Sequence, residues 1–192
     1  MKKILCLLLA ITMLMGSLLV LGSCDKKDKE KDRDESDEKV ALSAPQVPKG
    51  YVLYENDYIY FVYPEGWTKN ELNNGMAHLI LDGSTGNNLT VIGEVYSDIY
   101  KDLTVDEFKE MIKSTADTQN LKLSNIKISQ VKNAHGVEIT KITYNVERAG
   151  VTAKQTIFVV PCGDRNYVVN VTISKNVTGL VDTVFNSLVP KK

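Results

Sequence analysis

With only two histidines and three cysteines in 192 residues, the chain has few places for nucleophilic or metal chemistry. His78 lies inside the apolar run "MAHLIL" and reads as a strand residue, whereas His135 lies in "KNAHGVE" and reads as an exposed turn residue. No HxH, HxxxH or CxxC spacing supplies either with a second ligand, so no metal motif is present. Cys162 sits in "VVPCGDRNY", between two apolar runs, and reads as a turn residue. No neighbouring histidine or basic cluster is there to lower its thiol pKa. Asp98 and Asp102 of "DIYKD" lack the glycine and the closing glutamate of a calcium loop. "GSTG", residues 83–86, lacks the lysine and the following helix of a phosphate loop and reads as a turn. The sequence therefore predicts no catalytic residue, no cofactor and no metal ligand.

The third cysteine is different. In "LLVLGSCDKKDKE" the chain is apolar and small up to Ser23 and charged after Cys24. Met1, Lys2 and Lys3 provide a basic start, and Ile4 to Val20 carry no charge. This is the pattern of a secretory signal. A membrane-spanning helix is the competing reading, because the run approaches the roughly 20 residues that cross a bilayer. The small pair Gly22-Ser23 directly before a cysteine, followed at once by charge, favours processing. "LGSC" resembles a bacterial lipobox. The resemblance implies diacylglyceryl transfer to the Cys24 thiol, cleavage between Ser23 and Cys24, and acylation of the new amine by a chain such as palmitate. Each buried methylene contributes about 0.8 kcal/mol, and two chains anchor stably where one does so marginally.

Maturation at that point would remove Cys6 and commit Cys24, leaving Cys162 alone in the folded part with no disulfide partner. An exported domain of this kind relies on its hydrophobic core. A formal net charge of −1 offers no basic footprint for nucleic acid. Residues 1–23 are thus read as a lipoprotein signal peptide, 24–49 as the lipidated cysteine and a charged linker, and 50–192 as one globular domain. Residues 25–39 contain no apolar side chain and cannot offset the entropy of ordering, although an alternating-charge helix is a rival reading. Pro45 and Pro48 keep "ALSAPQVPKG" extended.

The domain must be positioned by strands and two helices. "YIYFVY" is apolar or aromatic on both faces and predicts a strand covered on two sides. Pro64-Glu65-Gly66 then turns the chain, and Trp67 follows as a core anchor. "MAHLILD" and "NLTVIGEVY" flank the Gly/Asn turn as a hairpin. In "LTVDEFKEMIKSTAD", Thr104 and Glu107 have capping-box spacing, and Val105, Phe108, Met111, Ile112 and Thr115 mark one face. Four strand runs follow, with His135-Gly136 at one join and "CGDR" at another. A closing helix spans "NVTGLVDTVFNSLV", with Asn176 or Thr178 as its cap. Strands, helix, strands, helix, with hairpins dominating, is an α+β class: an antiparallel sheet flanked by helices as an α/β/α sandwich.

"YIYFVYPEGW", "LTVDEFKE", "GVEITKITY" and "QTIFVVPCGDRNYVVNVT" with "FNSL" resemble the PsbP/Mog1-like family across most of residues 50–190. Pro64, Gly66 and Trp67 match its aromatic strand ending, and Cys162-Gly163-Asp164 and Ser187 its last turn and helix. The resemblance implies the sandwich fold and carries no binding residues over. The sequence reading is a membrane-anchored extracytoplasmic lipoprotein, held at Cys24 and acting as a protein-interaction module for an envelope partner. The alternative is a small-ligand- or metal-binding lipoprotein for sensing or uptake; an enzyme with an unrecognised site at Cys162 or His78 ranks last. Asp25 after Cys24 resembles an inner-membrane retention signal if the host has two membranes.

Overall fold

In a computed structural model of the chain, the described residues are 42–72, 77–175 and 177–191. The signal segment, Ser23, Cys24 and the charged tether lie outside them, as does Asn176. Among the described residues, ten strands form two sheets, and every pairing is antiparallel. The small sheet has the order β1-β2-β10, from Tyr51–Glu55, Ile59–Pro64 and Val189–Pro190. The large sheet runs β3-β4-β5-β9-β8-β7-β6. Its strands are β3 (Thr68–Leu72), β4 (Ala77–Leu81), β5 (Asn88–Val95), β6 (Lys122–Lys132), β7 (Glu138–Arg148), β8 (Val151–Cys162) and β9 (Arg165–Ile173). Helix α1 (Val105–Gln119) and helix α2 (Leu180–Ser187) flank this sheet. The fold is α+β.

The continuous apolar runs of β8 and β9 follow from burial on both faces, since successive side chains point to opposite sides. Ile157, Val159 and Val168 join Phe108 and Ile112 of α1 in one core, together with Ile142, Tyr144 and Val146 of β7. Phe158, Val160, Val169 and Val171 join a second core with Leu180 and Val184 of α2 and with Tyr54, Ile59 and Phe61 of the small sheet. Burying each large side chain of this kind contributes about 1.5–3 kcal/mol. The large sheet is therefore the middle layer, with α1 on one side and α2 plus the small sheet on the other.

Helix α1 starts as its sequence predicts. Thr104 accepts from the Glu107 amide, and the Glu107 carboxylate accepts from the Thr104 amide. Phe108, Ile112 and Thr115 are buried on its inner face. Asp106 and Lys109 pair at 3.2 Å on the outer face. The closing helix is shorter than its apolar pattern implies. It begins after Gly179, whose φ of 77° a side chain would strain, and it has no side-chain cap, so Thr178 does not serve. Val189, read as helical, pairs instead with Tyr60 in β10. Backbone pairing with β2 outcompetes another helical turn there.

Two strands carry no clear sequence signal. β1 pairs with β2 through a turn in which the Asn56 side chain accepts from the amides of Tyr58 and Ile59. β3, "TKNEL", is an edge strand with four exposed residues, and its Lys69 and Glu71 discourage further pairing. Pro45, read from the sequence as linker, is buried and shares a recess with Val62 and α2's Thr183.

Candidate functional site

The register brings several chain reversals to one end of the large sheet. Val95 at the end of β5 pairs with Arg165 at the start of β9, which pairs with Cys162 at the end of β8. Lys132 and Glu138 close the β6–β7 hairpin at the same end, because Thr140 of β7 pairs with Val159 of β8. Two clefts open here, one on each face of the sheet.

The first cleft, of about 330 Å³, lies under the connection from β5 to α1. Val131, Val159 and Pro161 give it an apolar floor, and Tyr96 and Tyr100 wall it. The connection is fastened down. The Gln130 amide donates to the carbonyls of Tyr100 and Lys101 at 3.0 and 2.8 Å, and the Thr140 hydroxyl donates to the Tyr100 carbonyl at 3.0 Å. Asn166 donates to the Ser97 carbonyl, and the Tyr96 amide donates to that of Asp164. On the surface, the Tyr96 hydroxyl and the Lys101 ammonium share one Asp98 oxygen at 2.7 Å each. Asp98 is thereby engaged in an ion pair rather than facing Asp102. Behind the cleft, Glu94 is buried and bonded to Tyr100; burial pushes its carboxyl pKa up, opposed by that bond. One Glu94 oxygen has no partner among the described residues. Outside, Val95 is 74% exposed and Ile99 53% exposed.

The second cleft, of about 350 Å³, lies where the small sheet meets β4, β5 and β9. Tyr54, Tyr58, Tyr167, His78, Asn56, Asp57 and Arg165 line it. Asn56 donates to the Tyr54 hydroxyl at 3.3 Å, and the Tyr54 oxygen stands 2.9 Å from His78 Nδ1. Which of the Tyr54 and His78 groups donates is set by the imidazole tautomer, since a phenol oxygen can accept from Asn56 in either case. Burial first, then the Lys69 charge, lowers the His78 pKa against the opposing pull of Glu71. Burial raises the Tyr54 pKa to about 12. Both groups are neutral near pH 7. The Arg165 guanidinium lies 5.2 Å from the Tyr58 ring centre and bonds to its hydroxyl. Gly93 makes room for this arrangement, because a Cβ there would stand 3.0 Å from Tyr167 Cζ and Oη.

The residues that the sequence singled out are thus dispersed. His78 is half-buried in β4, and His135 is exposed in the β6–β7 turn. Cys162 is not a turn residue: it ends β8, fully buried, and the turn is Gly163-Asp164. Burial pushes its thiol up to about 12, so it is not a thiolate at neutral pH. Trp67 packs half-buried against the α2-side core. The donors of the "GSTG" turn are spent on Asp82, which accepts from Ser84 and Thr85. Asn88 and Asn170, which head two N-x-T triplets, are buried in strands. Among the described residues, no three His, Cys, Asp or Glu side chains form a metal-binding group. No helix of those residues is long and apolar enough to cross a membrane.

Arg165, Tyr54, Tyr167, Gly93 and Gln130 escaped the sequence reading. Apart from Arg165 and Tyr167, neighbours on β9, they lie far apart in the chain, and the one local signal was the turn immediately before Arg165.

No family model matches the chain, and no curated protein matches it. A crystal structure from Bacteroides thetaiotaomicron VPI-5482 aligns with 70% of this chain at 14% identity and a TM-score of 0.46. This chain spans 45% of that protein's length. A Pseudomonas aeruginosa protein of unknown function, described as a candidate regulator, aligns over 64% of this chain and 82% of its own. There the identity is 14% and the TM-score 0.32.

Proposed function

We propose that this chain is a lipid-anchored extracytoplasmic binding module, held at Cys24 and working without catalysis through the connection over the first cleft. The anchoring half rests on the lipobox resemblance of "LGSC" and on the signal pattern before it. The resemblance to the PsbP/Mog1-like family belongs to this proposal, and the α+β layering is compatible with it.

One observation carries the binding half. Val95 and Ile99, two of the five large apolar side chains exposed among the described residues, stand at the end of β5 and on the connection after it, which Gln130, Thr140 and Asn166 tie down. Exposed apolar groups on a rigid support suit an interface, since little conformational entropy is lost when a partner docks. A protein partner of the envelope that presents an apolar side chain to the Val159–Pro161 floor fits this surface.

The test has two arms. Radiolabelled palmitate is expected in the wild-type chain and absent from Cys24→Ser; unchanged labelling removes the anchoring half. A photo-crosslinker at Ile99 in intact cells is expected to give a discrete adduct that Val95→Ser abolishes, while a crosslinker at exposed Val151 gives none. Equal adducts from both positions remove the binding half. A second reading, capture of a small ligand, draws on the second cleft, where a buried donor stands without a partner.

A further inference from the structure

The second cleft is lined by one arginine, Arg165. None of the ion pairs among the described residues includes Arg165. Its Nε is buried without an acceptor among the described residues. The guanidinium does not swing freely: it stacks on Tyr58, which in turn lies 5.6 Å from the Tyr167 ring. A second cation, Lys69, stands 5.6 Å from the centre of the Tyr54 ring. Asp57 is the carboxylate lining the cleft; Asp164 precedes Arg165 in the chain, and Glu71 pairs opposite His78.

We propose that this cleft binds a small planar carboxylic acid, its carboxylate held by Arg165 and its flat body against the tyrosine rings. The guanidinium that lines the cleft presents N–H groups that match a carboxylate. A phosphate dianion is a poorer match, because a single guanidinium faces the space and the lining carries no cluster of cations. The walls decide the rest of the ligand: phenol rings and Val91 favour a flat apolar body. The volume, about 350 Å³, lies at the lower end of small-molecule sites. This inference deepens the ligand-capture reading and is independent of the crosslinking surface at Ile99, so either can fail alone.

The two histidines make the test direct. His78 lines the cleft and His135 is an exposed turn residue, so ¹⁵N-histidine labelling of the full chain in a non-ionic detergent gives a probe and an internal control. Benzoate is expected to shift the His78 ring signals saturably and leave those of His135 in place. Benzamide, the same shape without charge, and inorganic phosphate are each expected to bind at least about tenfold more weakly. Arg165→Gln is expected to abolish the benzoate shift, and Arg165→Lys, which keeps charge without the fork, to weaken it about tenfold. Equal movement of both histidines, an effect of phosphate equal to that of benzoate, or a shift that survives both Arg165 variants overturns the proposal.

Discussion

The two clefts sit at the same end of the same sheet and differ little in volume, about 330 and 350 Å³, yet they use their polar groups in opposite ways. Around the first, the Gln130 amide and the Thr140 hydroxyl are spent on backbone carbonyls, so polarity there holds a wall still. Around the second, a guanidinium donor is left without an acceptor. A cleft whose polar lining is already paired recognises by apolar shape; one lined by an arginine outside any ion pair among the described residues recognises by charge. Fold energetics explain the split. The long connection over the first cleft would leave the Lys101 carbonyl bare without Gln130, whereas the second cleft is bounded by strands whose backbones pair with each other.

The strongest way to break this contrast is Gly93→Val. The new side chain meets Tyr167 at 3.0 Å and forces its ring out of the second cleft. A loss of about 2 kcal/mol is expected in urea unfolding, with disturbed His78 ring signals and an intact first cleft. Next in size, Gln130→Ala leaves two carbonyls and Thr140 short of a donor. It should cost about 1–2 kcal/mol and speed amide exchange over residues 96–101, while His78 is unmoved. A cost without faster exchange would show that the connection is held by other means.

Acid titration sharpens the comparison, because the two sides slope in opposite directions. His78 has a folded pKa below its ordinary 6.5, so its contribution is complete above 6.5 and is lost as pH falls through the folded value. Glu94 has a folded pKa above its ordinary 4.5, so its contribution is present below 4.5 and is lost as pH rises through the folded value. Relative to wild type, melting temperatures of His78→Gln should fall less on acidification from pH 7.5 to 5. Those of Glu94→Gln should fall less as pH rises from 4 to 7. Identical curves for all three proteins would remove the contrast. The smallest effect belongs to Asp98→Ala, which breaks the exposed clasp with Lys101 and Tyr96. No measurable change in stability is expected, because surface ion pairs are screened by water and salt.

Much of the fold is legible in residue order because local rules decide it. The Thr104–Glu107 box starts α1, and strand alternation and turn residues delimit β4 through β9. Where local rules are silent, the reading failed. Cys162 looked like part of a turn because Gly and Asp follow it, but pairing with Arg165 extends β8 through it. Val189 continued an apolar helical pattern, yet the free edge of β2 captured it. Polar β3 has no core-facing pattern and exists because β4 offers it an edge.

The candidate sites were hidden for a related reason. Tyr54, His78, Gly93 and Arg165 come from four strands, and no spacing rule links positions so far apart. Their meeting depends on the register Val95↔Arg165 and on the small sheet docking over the end of β5. By itself, the sequence determined the α+β class, the capped helix, and the change at Cys24 from apolar to charged chain, because each depends on neighbours within a few residues. Only the tertiary structure decided which polar groups are spent on the fold and which are left over, because a hydrogen bond's partner is assigned by packing in space rather than by order along the chain.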